Sequence, residues 1–253
     1  MPSPPPAPPL LPFSLRKPLA FLRARLSPDG YLGLHLTLGM IAVLLAVFVF
    51  ADIAEDVLTH DDLVMFDDRV LQWLHAHATP ARTAFFFFVT TWHNTLGILV
   101  MTGLLALWMA LKKQQDWGDW ILRLLLSVPL GMLLNFLLKN IFQRERPGFD
   151  QPIITLVSYS FPSGHTAAAT LFYGVLAAWL LTQLRRQWWA PVMLLAAGMV
   201  LLVALSRVYL GVHYPSDVFA AMASSTAWLV ITFTGVATWR KRQRFMSQHP
   251  QPS

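Results

Sequence analysis

The chain has 253 residues, of which 55% are hydrophobic and only 13% charged, about half the charged share of an ordinary soluble domain. Its formal net charge is +6 and it has no cysteine, so neither a disulfide framework nor thiolate chemistry is available. The basic residues punctuate long apolar blocks and form no single patch, which argues against a nucleic-acid face and fits membrane topology.

Residues 1–12, MPSPPPAPPLLP, are too rich in proline to pack. With Arg16, Lys17, Arg23 and Arg25 they give a Pro-rich, basic cytoplasmic tail over 1–30. The apolar run from Tyr31 to Ala51 is longer than the roughly 7–15 residues of a signal-peptide core, so it is read as a retained transmembrane helix. Its basic flank places the N terminus in the cytoplasm. From Asp52 to Arg82 the chain turns acidic, and Val70, Leu71 and Leu74 are spaced for a short amphipathic helix. The acidic pairs show no ligand-type spacing, so this stretch is expected to be a solvated external loop and no metal site is assigned.

The block from Ala84 to Leu111 is too long for one simple span and is broken by Thr90, Thr91, Trp92, His93 and Asn94. It is read as a short membrane-dipping helix over 84–90 and a full span over 95–111, bounded by Lys112 and Lys113. Further spans are expected over 120–142, with Pro129 as a kink, and over 166–184, 190–210 and 218–239. Arg185 and Arg186 separate two of these, and Arg240, Lys241, Arg242 and Arg244 close the last. The expected fold is an all-α polytopic membrane helix bundle, with six transmembrane helices over 31–239 and a basic cytoplasmic tail over 240–253. With both termini in the cytoplasm, the connections after the third and fifth spans lie on one external face.

Those two connections carry the polar residues that an apolar chain least tolerates. Lys139 and Arg146 are seven apart in K-N-I-F-Q-R-E-R-P. They share a face if the third helix continues, although Pro147 biases Arg146 away from helix. An ammonium and a guanidinium at a helix end suit a phosphate, and they also suit a pair of snorkelling interfacial cations. In Pro162-Ser163-Gly164-His165, Ser163 is placed to cap the next helix and Gly164 lets a ligand approach the backbone. His165 is placed either to donate a proton to a leaving oxygen or, as the cluster alone favours, to be an interfacial histidine after an ordinary cap. In S-R-V-Y-L-G-V-H-Y-P-S-D, Arg207 precedes His213 by six residues, and Asp217 follows His213 by four. The last spacing lets Asp217 fix one imidazole nitrogen and leave the other as a nucleophile. A purely structural His–Asp contact is the competing reading. Arg144 is expected to help bind phosphate, and Asn135 either orients Lys139 or packs helices.

In this order, K-x6-R-P, PSGH and S-R-x5-H-x3-D resemble the three-part signature of the type-2 phosphatidic acid phosphatase superfamily, which also includes bacterial acid phosphatases and vanadium haloperoxidases. The resemblance covers 139–217 by motif. It implies that His213 attacks phosphorus and becomes a phosphohistidine, that Asp217 orients it, and that His165 protonates the leaving oxygen. Lys139, Arg146, Ser163, Gly164 and Arg207 would bind the phosphoryl oxygens, with no metal and no cofactor. The activity implied is hydrolysis of a membrane lipid phosphate at the external face of a bacterial inner membrane. Undecaprenyl diphosphate is the leading substrate by analogy, and phosphatidylglycerophosphate and phosphatidic acid also fit. A lipid phosphotransferase using the same intermediate is the nearest alternative. A vanadate-dependent oxidant enzyme and a transporter or scaffold stand further off.

Overall fold

The computed structural model describes residues 25, 33–59, 62–113, 116–149, 152–154 and 156–248. The tail expected over 1–30 lies outside these residues apart from Arg25, as do Asp61 and 249–253. The described residues form α1 (Leu34–Thr59), α2 (Asp62–Ala76), α3 (Pro80–Trp92), α4 (Thr95–Lys112), α5 (Trp117–Phe142), α6 (Gly164–Gln183), α7 (Trp189–Tyr209) and α8 (Pro215–Gln248), with a single 3-10 turn at Arg186–Trp188. No strand is present among them. Six helices, α1 and α4 to α8, are long and apolar enough to cross a membrane. The chain is a multi-pass membrane protein.

Local chemistry explains the boundaries. Thr79 caps α3 by accepting from the Arg82 N–H at 3.4 Å, with Pro80 at the first helical position. Asn94 then caps α4 by accepting from the Gly97 N–H at 2.7 Å, so the polar break in the sequence is a pair of helix ends. Here α3 covers Pro80–Trp92 and is longer than the dip expected over 84–90. Helix α1 runs on through Asp52, Glu55 and Asp56 to Thr59, so the first part of the expected solvated loop is helix. Helix α8 likewise continues through Arg240, Lys241, Arg242 and Arg244 to Gln248.

The centre of the bundle is α6, which packs against α4, α5, α7 and α8. Its Ala167, Ala168, Ala169 and Ala177 are buried, because small side chains let neighbouring helices come close where apolar burial alone gives no preference over lipid. A Cβ on Gly131 of α5 would stand 2.6 Å from Leu171 Cδ1 of α6 and 2.8 Å from Trp228 Cδ1 of α8. This position therefore has no room for a side chain. Phe161, fully buried between Ala54, Val57, Phe142 and Ala220, anchors the connection that leads into α6. At the same end of the bundle, Leu71 of α2 packs against Ala204, Val208 and Val218 of α7 and α8.

Candidate active site

All the sequence-selected polar residues gather at this end. Lys139 sits in the last turn of α5, and the helix stops at Phe142 because Gln143 adopts a left-handed φ of 48°. Arg146 therefore does not share the helix face of Lys139; it reaches inward from the extended segment that follows. Arg146 Nη1 donates to the Val212 carbonyl at 2.5 Å, and its Nη2 donates to Ser158 Oγ at 3.0 Å and the Tyr159 carbonyl at 3.1 Å. Lys139 Nζ donates to that same Tyr159 carbonyl at 2.6 Å, so backbone oxygens of one loop hold both cations.

The PSGH segment enters α6 with Ser163 at the cap position, yet its side chain makes no capping hydrogen bond. Instead Ser163 Oγ accepts from Thr166 Oγ1 at 3.0 Å, and the Ser163 N–H donates to the Asp217 carbonyl at 3.0 Å. Ala167 is the first residue to donate back into the helix, to the Ser163 carbonyl at 3.0 Å. The N–H groups of Gly164, His165 and Thr166 are left without an intrahelical acceptor, as at any helix N terminus. A Cβ on Gly164 would meet only Asn135 Nδ2, at 3.7 Å, so the protein itself does not need glycine there. His165 is the second residue of α6 and lies within electrostatic reach of Arg207, His213, Lys139 and Arg146.

Arg207, in the last turn of α7, is 3% exposed. Its Nη1 donates to Thr90 Oγ1 of α3, and its Nε is buried with no partner. A buried guanidinium nitrogen without an acceptor is costly. Asn135 Oδ1 of α5 is likewise buried and unpartnered. Among the described residues, Lys139, Arg146 and Arg207 form no ion pair with any carboxylate. Lys139, Arg146 and Arg207 lie within electrostatic reach of one another with Asp217 as the nearby carboxylate.

Gly211, two residues beyond the end of α7, has a φ of +69° and turns the chain toward His213, which precedes α8. His213 Nδ1 lies 3.2 Å from Asp217 Oδ2, and its Nε2 lies 3.4 Å from Arg146 Nη1. A carboxylate only accepts and a guanidinium only donates, so this network assigns the proton to Nδ1 and the lone pair to Nε2. Burial, followed by the charges of Lys139, Arg146 and Arg207, holds the His213 imidazole well below the usual histidine range; the Ser160 backbone opposes this only in part. That direction favours the neutral imidazole.

Arg144 departs from the sequence reading. Its guanidinium donates to Asp217 Oδ1 at 2.8 Å and to Asp67 Oδ2 at 2.9 Å, and it stacks 3.9 Å over the Tyr214 ring. It is committed to carboxylates and is not free for a phosphate. Asp67, expected in a solvated loop, is 0% exposed. Sequence reasoning missed it, although its place one helical turn before the buried Leu71 marks the inward face of α2. Thr90 was missed as a partner of Arg207, and Ser216 as a partner of Asp67. His93 is buried with both ring nitrogens engaged, by the Val89 carbonyl at 2.7 Å and Tyr173 Oη at 2.8 Å, which makes it a helix-packing residue.

A helical membrane bundle has three cations and a carboxylate-held histidine gathered at one end. Residues 120–241 match the model of the PAP2 superfamily. It is 38% identical over 104 residues to phosphatidylglycerophosphatase B of Bacillus subtilis, an alignment covering 40% of this chain and 51% of that protein. It is 36% identical over 114 residues to decaprenylphosphoryl-5-phosphoribose phosphatase of Mycobacterium tuberculosis, covering 43% and 57% respectively. The chain thus spans about half the length of the curated relatives it matches. Its fold is similar to the crystal structure of a transmembrane PAP2-type phosphatidylglycerolphosphate phosphatase from Bacillus subtilis, with a TM-score of 0.65 at 24% identity over 85% of this chain and 98% of that one. Aquifex aeolicus LpxE matches with a TM-score of 0.53 at 22% identity over 66% and 94%.

Proposed function

We propose that the protein is a metal-independent lipid phosphatase that works through a phosphohistidine on His213. The observation that carries this reading is the His213 ring, held by Asp217 at Nδ1 and facing at Nε2 the cation Arg146, which with Lys139 and Arg207 forms no ion pair among the described residues. Lys139, Arg146, Arg207, Ser163 and the backbone N–H groups at Gly164 hold the phosphoryl oxygens and stabilise the charge that builds up on them. His213 Nε2 forms a bond to phosphorus as the bond to the leaving oxygen breaks, and His165 gives that oxygen a proton. Water then attacks phosphorus, His165 takes the proton back, the phosphorus–nitrogen bond breaks, and free phosphate leaves. No step calls for a metal.

The two curated relatives are named for a phosphatidyl and a polyprenyl-linked substrate. A phosphoryl group on a membrane lipid is what these names share, and it is the substrate class proposed. The site faces the outer side of a bacterial inner membrane, with both termini in the cytoplasm. Phosphate release by the purified protein, measured with excess chelator on undecaprenyl diphosphate, phosphatidylglycerophosphate and phosphatidic acid, ranks the substrates. Release from none of them by a folded protein would contradict the proposal.

A further inference from the structure

Asp67 lies outside all three motifs, on α2, and is fully buried. Burying a carboxylate is costly unless it is paired and hydrogen-bonded, and Asp67 meets that condition only through groups that surround the site. Its Oδ1 accepts from the Ser216 N–H at 2.9 Å. Its Oδ2 accepts from Ser216 Oγ and from Arg144 Nη2, 77 residues away in sequence. Arg144 then turns its other nitrogen, Nη1, to Asp217 Oδ1 at 2.8 Å and Ser216 Oγ at 2.7 Å. The second oxygen of Asp217 is left for His213 Nδ1 at 3.2 Å and the Tyr214 N–H at 3.0 Å.

Two consequences follow. The Asp217 carboxylate cannot rotate about its bond without losing either Arg144 or His213. A guanidinium resting on Asp217 alone would also cancel much of its pull on the imidazole, whereas Asp67 offsets that positive charge. The three groups together then present one negative charge toward His213. We infer that Asp67 is a positioning residue: acting through Arg144 and Ser216, it fixes the Asp217 carboxylate on His213 and keeps its charge directed there. This rests on the reading of His213 as the nucleophile. Stability alone explains the arrangement poorly, since a buried ion pair gains little over apolar packing of the same size.

The test uses the full chain in detergent with Asp67→Asn, which keeps size and removes charge, and with Asp217→Asn alone and in combination. Groups that orient a metal-bound histidine cost about 10- to 100-fold when removed. A loss of that order in kcat, with KM little changed, is expected for Asp67→Asn. In the Asp217→Asn background the same substitution should do almost nothing further, because both act through one carboxylate. Proton–nitrogen correlation spectra of 15N-histidine protein should show the His213 ring signals displaced in Asp67→Asn and unmoved in Asp68→Asn, a change on the exposed neighbour. Unchanged kcat, unmoved ring signals, or a loss that adds in full to that of Asp217→Asn would each overturn the inference. If Asp67→Asn does not fold, Arg144→Lys replaces it. A single ammonium cannot span both carboxylates, so kcat should again fall with KM held, and wild-type turnover would overturn the inference. The spectra need no turnover, so a silent wild-type enzyme would sink the phosphatase reading and leave this one still testable.

Discussion

At the scale of single residues, the site separates groups that carry charge from groups that set direction. Arg207 is the clearest case of the first kind, a buried guanidinium with an unpartnered Nε. Arg207→Ala should lower kcat by on the order of 10²-fold or more, as removal of one charge-stabilising donor does elsewhere; a change confined to KM would show that the residue only binds. His165 is expected to show its role through the leaving group. A diphosphate expels phosphate, which needs less protonation than a lipid alkoxide, so His165→Ala should slow monoester hydrolysis more than diphosphate hydrolysis. Equal losses in a side-by-side assay would remove the acid role. For His213 the depressed folded-state pKa predicts that the acid limb of kcat/KM falls well below the ordinary histidine value of about 6.5. The sign for stability follows from the same shift. The unfolded chain takes up the proton first as pH falls, so the contribution of His213 is fully present above about 6.5 and is lost below it. Melting temperatures across that range should drop on acidification in the wild type and less in His213→Gln; parallel curves would contradict the assignment.

At the scale of elements, the two glycines of the α5–α6 contact make opposite predictions. Gly131 faces Leu171 and Trp228 at less than contact distance for a Cβ, so Gly131→Val should destabilise the bundle, by about 1–3 kcal/mol for an overpacked core. Gly164 has open space apart from an ordinary contact with Asn135. Gly164→Ala should therefore melt like the wild type yet turn over more slowly, because its methyl group intrudes on the ligand and not on the protein. A melting temperature lowered as much as that of Gly131→Val would mean the helix N terminus is structural only. The spans, the polar break before Asn94 and the three motifs were legible in the sequence, since periodic apolar blocks and cap residues act locally. What was not legible is pairing across distance. Arg144 looks like one more cation beside Arg146, and nothing within its own segment shows that two carboxylates from α2 and α8 claim it. The acidic run was misread for a related reason. Composition marks 52–82 as polar, but only the packing of Leu71 against α7 and α8 turns Asp67 inward. The end of α5 at Phe142 agrees with the sequence reading; whether Arg146 shares the helix face of Lys139 stays open there, because a left-handed Gln143 carries no strong sequence signal.

At the scale of the whole molecule, α6 places its N terminus where α5 and α7 end and α8 begins, so four helices meet around one small volume. That volume concentrates positive charge in a chain that otherwise has little charge, and an oxyanion should relieve the repulsion. Orthovanadate or phosphate should accordingly raise the melting temperature of the wild type, a ligand at 100 times its Kd contributing about 2.7 kcal/mol, and should do so much less in Arg207→Ala. Equal stabilisation of both would place the anion elsewhere. The central claim is that the phosphoryl group passes through His213 without a metal, and rapid quenching with lipid carrying 32P in the transferred phosphoryl group, in excess chelator, tests it most directly. An acid-labile, alkali-stable label is expected that maps to the peptide containing His213, forms faster than phosphate is released, and is absent from His213→Ala. Turnover with no such label, or label that survives in His213→Ala, would contradict it.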